Sequence, residues 1–211
     1  MKAIKETPLW YALLFEFRLP FRYKQRIKEK ITQYKIAFNT KYISGKKHIK
    51  YKKDEAVVCS LVRNGENHIK SFIEYHIDKG FKHIFFLDNG STDDTIKIAK
   101  KYEKVTILQN KLSFKEYQSS LRRYLVNRFC RNRWCLYLDI DEFFDYPFSD
   151  RLSLNKFLGY LNKNGYTAVI TQMLDMFSDK KMSEIKPEKD KNLKNLYMFY
   201  DISYIKKKKY Y

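Results

Sequence analysis

The sequence predicts an α/β protein with a mostly parallel sheet flanked by helices, preceded by a basic N-terminal helical arm. From residue 56 onward, short apolar runs alternate with amphipathic segments, which is typical of β-α-β units. The apolar runs are nearly continuous, as expected for strands covered on both faces. Hydrophobic residues make up 44% of the 211-residue chain, which is enough for a core. The chain has only six Gly and four Pro, and these low counts argue against a loop-rich all-β fold.

Charge divides the chain into an arm, residues 1–53, and a domain, residues 54–211. The formal net charge is +19, and the arm holds 15 of the 43 Lys and Arg residues against three acidic residues. Spacing of apolar residues predicts a helix from Tyr23 to Phe38 within it. Such an arm could meet nucleic acid or an anionic lipid surface, or pack on the domain.

Aromatic residues in the arm suit a membrane surface, and an arm that packs on the domain or is simply basic is an equally good alternative. Trp, Tyr and Phe side chains alternate with Arg and Lys between residues 10 and 24, a mixture that suits an anionic bilayer surface. The apolar stretch at residues 9–15 is too short to span a bilayer, which takes about 20 apolar residues. We therefore expect a cytoplasmic protein that lies peripherally on the inner face of a membrane.

The domain's elements follow from apolar periodicity and from turn residues. Four strands end at polar turns, and the helices between them carry apolar residues three or four positions apart. Ser91 and Asp94 resemble a capping box at the start of the second helix. The predicted strands are 56–62, 83–87, 105–108, 134–138, 166–171 and 197–205. The predicted helices are 69–79, 96–102, 117–129 and 152–161.

Polar side chains follow three of the predicted strands. Arg63 and Asn64 follow the first strand, Asp88 ends the second, and Asp139 and Asp141 follow the fourth. Parallel strands present their carboxyl ends at the same edge of a sheet, where open α/β sheets bind their ligands. The sequence therefore predicts one crevice at which these residues meet.

Asp139 and Asp141 predict a site for a hard divalent cation. Alternate residues of an extended chain point the same way, so the two carboxylates can share one ion. Mg²⁺ or Mn²⁺ takes one or two carboxylates, water and substrate phosphates, and Arg63 could add a bidentate contact to a phosphate. The alternative is an acidic pair on a solvated turn. Helix capping is an equally good explanation of Asp93 and Asp94.

Cysteine and histidine spacing predicts no soft-metal site. Cys59, Cys130 and Cys135 form no CxxC pair, so we expect buried free thiols in a reducing compartment. His68 and His76 lie eight residues apart without a Cys or Glu partner at metal spacing, so surface or core histidines are expected.

Four segments in this order resemble the glycosyltransferase family 2-like group with the GT-A fold. They are Val58–Glu66, Glu74–His76, Asp88–Thr95 and Asp139–Phe144, the last reading DIDEFF, and together they cover roughly residues 55–150. The resemblance implies a nucleotide-diphosphate sugar donor, with UDP the most frequent nucleotide, and bound Mn²⁺ or Mg²⁺. It implies transfer to a glycan or a lipid-linked acceptor.

The resemblance also assigns residues to the donor site. Asp139 and Asp141 would bind the metal. Residues against the nucleotide sugar would be Arg63, Asn64, Asp88, Asn89 and Asp139. Inverting members place a general base beyond the DxD motif, and Asp175 is the best candidate among the 70 residues that follow Asp141.

Two alternatives stay open. Because the section after Asp141 is short, the chain could be truncated within its acceptor site and bind a nucleotide without turnover. A basic nucleic-acid-binding protein would explain the charge, but no nucleic-acid-binding motif is present. A dinucleotide-binding domain is disfavoured, since the first strand-to-helix turn lacks GxGxxG.

Overall fold

The computed structural model describes residues 9–181, 184 and 196–203, with side chains from residue 23 onward. The helices are α1 (Leu9–Phe38), α2 (Ile69–Asp78), α3 (Thr95–Ala99), α4 (Phe114–Phe129) and α5 (Leu154–Lys163). The strands are β1 (Thr40–Ser44), β2 (Ala56–Val62), β3 (His83–Asp88), β4 (Val105–Asn110), β5 (Trp134–Tyr137), β6 (Met176–Phe177) and β7 (Phe199–Tyr200).

Five strands form the central sheet, in the order β1-β4-β3-β2-β5. Strands β2, β3, β4 and β5 are all parallel, and only β1 runs antiparallel, along β4. Every residue of β2 and β3 is buried, as their continuous apolar runs predict. The predicted mostly parallel α/β fold is confirmed.

Helices cover both faces of this sheet. Because side chains alternate along a strand, β2 directs Val58 toward α2 and α5 and directs Val57 toward α4 and the end of α1. The first face includes the fully buried Phe72 of α2, and the second the fully buried Leu121 of α4. The sheet is thus the middle of three layers, and the carboxyl ends of its parallel strands share one edge, where open α/β sheets in general bind their ligands.

The last part of the expected arm packs on the domain. Ile36 of α1 is fully buried in the core, and Gln33 donates a hydrogen bond from Nε2 to the carbonyl oxygen of Ser120 on α4 (3.0 Å). Strand β1 then extends the sheet. The sequence analysis did not predict this strand, because it is short, polar and half exposed at the sheet edge. No helix among the residues described is long and apolar enough to cross a membrane.

The predicted strand at residues 166–171 is wrong. These residues have no regular structure and are exposed, since no neighbouring strand pairs with them in the described part of the chain. A strand needs a partner for its backbone, and β-propensity alone does not supply one. The predicted last strand, 197–205, is reduced to β7, which pairs with β6; residues 204 and 205 lie outside those described.

Candidate functional site at the carboxyl edge of the sheet

Strand β2 lies at the switch point of the sheet. Its neighbours are β3, the next strand in sequence, on one side and β5, reached much later in the chain, on the other. The chain therefore leaves β2 and β5 in different directions, and a crevice opens between the loops that follow them. Arg63 and Asn64 follow β2, and Asp139 and Asp141 follow β5.

Contacts join these two loops. Ile140, the middle residue of the Asp-x-Asp motif, packs beside Gly65: a methyl group placed on Gly65 would lie 3.5 Å from Cγ1 of Ile140 and 2.9 Å from Cγ2 of Val62. Gly65 is buried, so any larger residue there would push Val62 or Ile140 aside. The structure brings the predicted cation site and the Arg63–Asn64 turn to the same end of the sheet.

Hydrogen bonds also join the loop after β2 to the loop after β3. Asn64 takes a left-handed φ of 51°, a conformation that Asn tolerates better than most residues. Its N–H donates to Oγ of Ser91 (2.9 Å), and its Oδ1 accepts the N–H of Thr92 (2.9 Å). The side-chain oxygen of Asn64, which is a predicted donor-binding residue, therefore already accepts a hydrogen bond within the protein.

Asp93 and Thr95 accept further hydrogen bonds between the same two loops. Oδ2 of Asp93 accepts the N–H of Glu66 (3.1 Å), Oγ1 of Thr95 accepts the N–H of Gly65 (2.7 Å), and Thr95 donates to Asp93. Burial alone would raise the pKa of Asp93, but the hydrogen bonds from Thr95 and Glu66 lower it. Asp93 thus ties two loops together, whereas the side chain of Asp94 forms no hydrogen bond at the start of α3.

Asp88 and Asn89 are buried. The carboxylate of Asp88 accepts the N–H groups of Gly90 (3.0 Å) and Ser91 (3.2 Å) and a hydrogen bond from Nε2 of Gln109 (2.9 Å). Asn89 donates from Nδ2 to the carbonyl oxygens of Asn110 (2.7 Å) and Leu112 (2.9 Å). Both residues shape the loops around the crevice, and their contact with a nucleotide stays a prediction.

Two hydrogen bonds between Asp139 and Glu142 close the turn that carries the Asp-x-Asp motif. The N–H of Asp139 donates to Oε2 of Glu142 (2.9 Å), and the N–H of Glu142 donates back to the carbonyl oxygen of Asp139 (3.1 Å). This reciprocal pair fixes the backbone between the two aspartates. Asp139 is half-buried and Asp141 is exposed, so the turn presents Asp141 to solvent.

Arg122 of α4 is a site residue that the sequence analysis missed. Its Nη2 donates to both carboxylate oxygens of Asp139 (3.1 and 3.2 Å), and its guanidinium lies 4.9 Å from the ring centre of Tyr137. Nothing in the sequence marked it, since it lies 17 positions before Asp139 in a helix rich in basic residues. The pairing holds Asp139 and puts positive charge beside the predicted cation site.

Asp141 and Arg63 are charged residues of the candidate site whose side chains have no partner among the described residues. Both are exposed, and neither makes a hydrogen bond or ion pair with any residue that the structure describes. Carboxylate oxygens are the ligands that Mg²⁺ and Mn²⁺ prefer. A free carboxylate at Asp141 beside the oriented carboxylate of Asp139 fits such an ion, and Arg63 is free to contact an anionic ligand.

Helix α2 anchors the segment that follows the motif. The hydroxyl of Tyr75 donates to the carbonyl oxygen of Phe144 (2.9 Å), and the N–H of Phe144 points at Nε2 of His76 (3.5 Å). His76 is fully buried, and its Nδ1 is 2.8 Å from the carbonyl oxygen of Phe72, so it carries a proton on Nδ1 and accepts at Nε2. His76 is a satisfied core histidine, as expected, and His68 is half-buried.

Two further predictions concern residues outside this group. Asp175 is exposed and directly precedes β6, and no contact ties it to the motif. The three cysteines are free thiols; Cys59 and Cys130 are buried as predicted, whereas Cys135 is half-buried. Their sulfur atoms nevertheless lie together, which the spacing in the sequence did not indicate.

Comparison with known proteins identifies the family. The model of the family described as Glycosyl transferase family 2 matches residues 57–202, more than half of the chain and all of the parallel strands from Val57 onward. A comparison with curated proteins finds no match. The matched range contains the Arg63–Asn64 turn and the Asp-x-Asp motif. The chain belongs to glycosyl transferase family 2.

Proposed function

We propose that this protein transfers a sugar from a nucleotide-diphosphate donor to a hydroxyl group of a glycan or lipid-linked acceptor. A UDP-sugar is the favoured donor. Its family uses nucleotide-sugar donors and acceptors in general, and its mostly parallel sheet is consistent with the GT-A type. The observation that carries the proposal is the meeting of the Asp-x-Asp turn and the Arg63–Asn64 turn at the switch point of the sheet.

Asp139 and Asp141 would hold Mn²⁺ or Mg²⁺ in this proposal. When bound, the ion would neutralise charge on the donor diphosphate as the sugar leaves. Arg63, exposed and without a partner among the described residues, would contact the donor's phosphates or nucleotide, and Asn64 would present its backbone turn to them. Asp88 and Asn89 would act on the nucleotide chiefly by shaping the loop after β3.

Asp175 remains the proposed general base. Its carboxylate is exposed within the family-matched range, and a base has to reach the acceptor hydroxyl directly or through one water molecule. Turnover of a donor panel by wild type and Asp175→Asn tests this assignment. We expect the variant to bind UDP with unchanged affinity and to lose most of its transfer rate, whereas equal rates would remove Asp175 from the reaction.

Calorimetry of UDP binding tests the donor site. UDP is titrated into the protein with Mn²⁺ and with EDTA, for wild type, Asp141→Ala and the matched control Glu103→Ala. Glu103 is an exposed acid at the amino-terminal end of β4, the opposite edge of the sheet. We expect metal-dependent binding in wild type and the control and its loss in Asp141→Ala. If the protein binds none of the nucleoside diphosphates tried with metal present, the proposal is wrong.

We also propose that α1 rests on an anionic membrane surface. Five large apolar residues of this helix are 43–92% exposed: Tyr23, Ile27, Ile31, Tyr34 and Phe38. At about 100° per residue they share a stripe roughly 80° wide. The stripe faces away from Ile36 and Gln33, which contact the domain.

Charge favours a lipid surface as the occupant of this stripe. By the same helical geometry, basic residues border it on both sides, with Lys24 and Lys28 along one edge and Arg26 and Lys30 along the other. Apolar residues that enter the acyl boundary, flanked by bases that meet anionic headgroups, are typical of interfacial helices. This proposal puts the transferase at the inner face of a membrane, beside a lipid-linked acceptor.

Vesicle flotation tests the membrane contact without removing α1. Wild type, the double variant Ile31→Ser with Tyr34→Ser, and the control Tyr160→Ser are mixed with phosphatidylcholine vesicles, with or without phosphatidylglycerol. Tyr160 lies on α5 across the sheet and is 61% exposed. We expect wild type and the control to float with the anionic vesicles only, and the double variant to stay in solution. Equal flotation of all three would contradict the assignment to α1.

A nucleic-acid-binding function is the rival for the basic surface. It rests on net charge alone, because the family match covers the α/β domain and no nucleic-acid-binding motif accompanies it. Salt-sensitive RNA or DNA binding, together with a failure to bind any nucleoside diphosphate, would favour this rival over the transferase.

A further inference from the structure

Three cysteines from separate elements meet beside the sheet. Cys59 lies in β2, Cys130 caps the end of α4, and Cys135 lies in β5. Their three Sγ atoms all lie within 4.8 Å of one another, and those of Cys59 and Cys130 are 3.2 Å apart. Among the described residues, no other group of three or more His, Cys, Asp or Glu side chains is gathered in this way.

The distances suit a thiophilic metal ion. Zn²⁺ binds thiolate sulfur at about 2.3 Å in a tetrahedral arrangement, so its sulfur ligands lie about 3.8 Å apart. The Cys59–Cys130 separation of 3.2 Å is shorter than this value and the others are at most 4.8 Å, so relative shifts of the sulfur atoms by up to about 1 Å would reach it. Neutral thiols offer each other only weak hydrogen bonds, so metal ligation would hold the three sulfur atoms together more strongly than their mutual contacts do.

A polar atom without a partner among the described residues belongs to a neighbour of the cysteines, Tyr51. Tyr51 packs against the hydrophobic cluster that includes Cys59 and Cys130. Its hydroxyl is buried and makes no hydrogen bond with any described residue. An unsatisfied buried hydroxyl is costly, and a ligand bound in the cluster could satisfy it.

Charge supports a divalent ion. Three thiolates and one divalent cation leave a net charge of −1, and the guanidinium of Arg133 lies 3.8 Å from the ring centre of Tyr51, where it can balance that charge.

We propose that Cys59, Cys130 and Cys135 bind one Zn²⁺ ion, with the hydroxyl of Tyr51 facing the fourth position. Binding would release the three thiol protons to solvent. The site is separate from the Asp-x-Asp motif in chemistry, since thiolates select soft ions and carboxylates select hard ones. It would tie the end of α4 and the edge strand β5, which leads into Asp139, to the central strand β2.

Metal analysis of the purified protein tests the proposal. Protein prepared without chelators is passed over a chelating resin, and its zinc is measured for wild type, for Cys130→Ser with Cys135→Ser, and for Asp139→Asn with Asp141→Asn. We expect one zinc ion per chain in wild type and in the aspartate variant, and loss of most of the zinc in the cysteine variant. The aspartate variant separates this site from the donor site.

Cobalt spectroscopy keeps the test decisive if the cysteine variant does not fold. Co²⁺ replaces Zn²⁺ in wild type, and thiolate ligation adds an intense sulfur-to-cobalt band in the near ultraviolet. We expect this band in wild type and in the aspartate variant. Two results would overturn the proposal: wild type that has neither zinc nor the cobalt band, or a Cys59–Cys130 disulfide found by mass spectrometry in protein kept under reducing conditions.

Discussion

Arg122 and Asp139 form an ion pair in which one guanidinium nitrogen contacts both carboxylate oxygens, at 3.1 and 3.2 Å. The first aspartate of the Asp-x-Asp motif is therefore oriented by α4, the helix that precedes β5. Its partner Asp141 has no such contact with the described residues. The two aspartates of one motif thus differ in environment: Asp139 is held in place, and Asp141 is free to bind.

Removing Arg122 should weaken donor binding modestly. Arg122→Ala leaves Asp139 without its orienting partner and removes a positive charge near the proposed diphosphate. Because both side chains are partly exposed, we expect UDP with Mn²⁺ to bind about two- to fivefold more weakly, the effect of an ion pair worth up to about 1 kcal/mol. Calorimetry measures it, with Arg123→Ala as the control, since Arg123 pairs with Glu29 of α1. Equal losses in both variants would point to net charge instead.

Removing the hydroxyl of Tyr75 should loosen the segment after the motif. Tyr75→Phe abolishes the hydrogen bond to the half-buried carbonyl oxygen of Phe144. We expect the free energy of unfolding to fall by about 1 kcal/mol in urea denaturation. Tyr160→Phe is the control because Tyr160 is largely exposed. Unchanged stability of Tyr75→Phe would show that α2 does not anchor this segment.

Two glycines should respond to alanine in opposite directions. Gly45 has a φ of 101°, and a methyl group on it would lie 2.2 Å from the carbonyl oxygen of Val105. Gly45→Ala should therefore destabilise the protein by at least about 2 kcal/mol through strain and displacement of β1. Gly159 lies within α5 with nothing within 4 Å of an added methyl group. Gly159→Ala should stabilise by up to about 1 kcal/mol.

Thermal and urea unfolding of both variants measure these changes. If Gly45→Ala were as stable as wild type, the segment around β1 would not be attached to the sheet as described. That result would favour an arm that is independent of the domain up to residue 53.

Mild acid should destabilise the protein through His83. Burial, with a smaller contribution from Lys46, lowers the pKa of His83 to about 4, against about 6.5 in an unfolded chain. The unfolded state binds the proton first as the pH falls, so this contribution to stability is present above pH 6.5 and is lost between pH 6.5 and 4. At about 1.4 kcal/mol per pH unit, the loss reaches about 3 kcal/mol.

Urea midpoints between pH 7 and pH 5 measure this dependence. His83→Gln keeps an N–H donor for Oγ1 of Thr106, to which His83 is bonded at 2.8 Å, but does not titrate. We expect a flatter pH profile for this variant and an unchanged profile for His48→Gln, since His48 is exposed. A His83→Gln profile as steep as that of wild type would assign the acid sensitivity to other groups.

The parts of the fold that were predicted correctly have strong local signals. Strand β2 was predicted with its observed bounds because seven apolar or small residues are followed directly by a polar turn. Helix α4 was predicted from apolar residues four positions apart, although it begins three residues earlier than expected. The strand expected at residues 166–171 had β-branched residues but no partner in the described structure, and β1 had a partner but a weak apolar pattern. Pairing, which is not local, decided both cases.

Sequence by itself determined the fold class of this protein and the edge of the sheet that carries its polar residues. Continuous apolar runs require strands covered on both faces, and parallel strands place their ends at one edge. Tertiary structure alone decided which of those residues are free. It buried Asp88 and Asn89, paired Asp139 with Arg122, left Asp141 exposed and brought the three cysteines together. The physical reason is that such contacts join residues far apart in the chain, and strand order and helix packing set their distances.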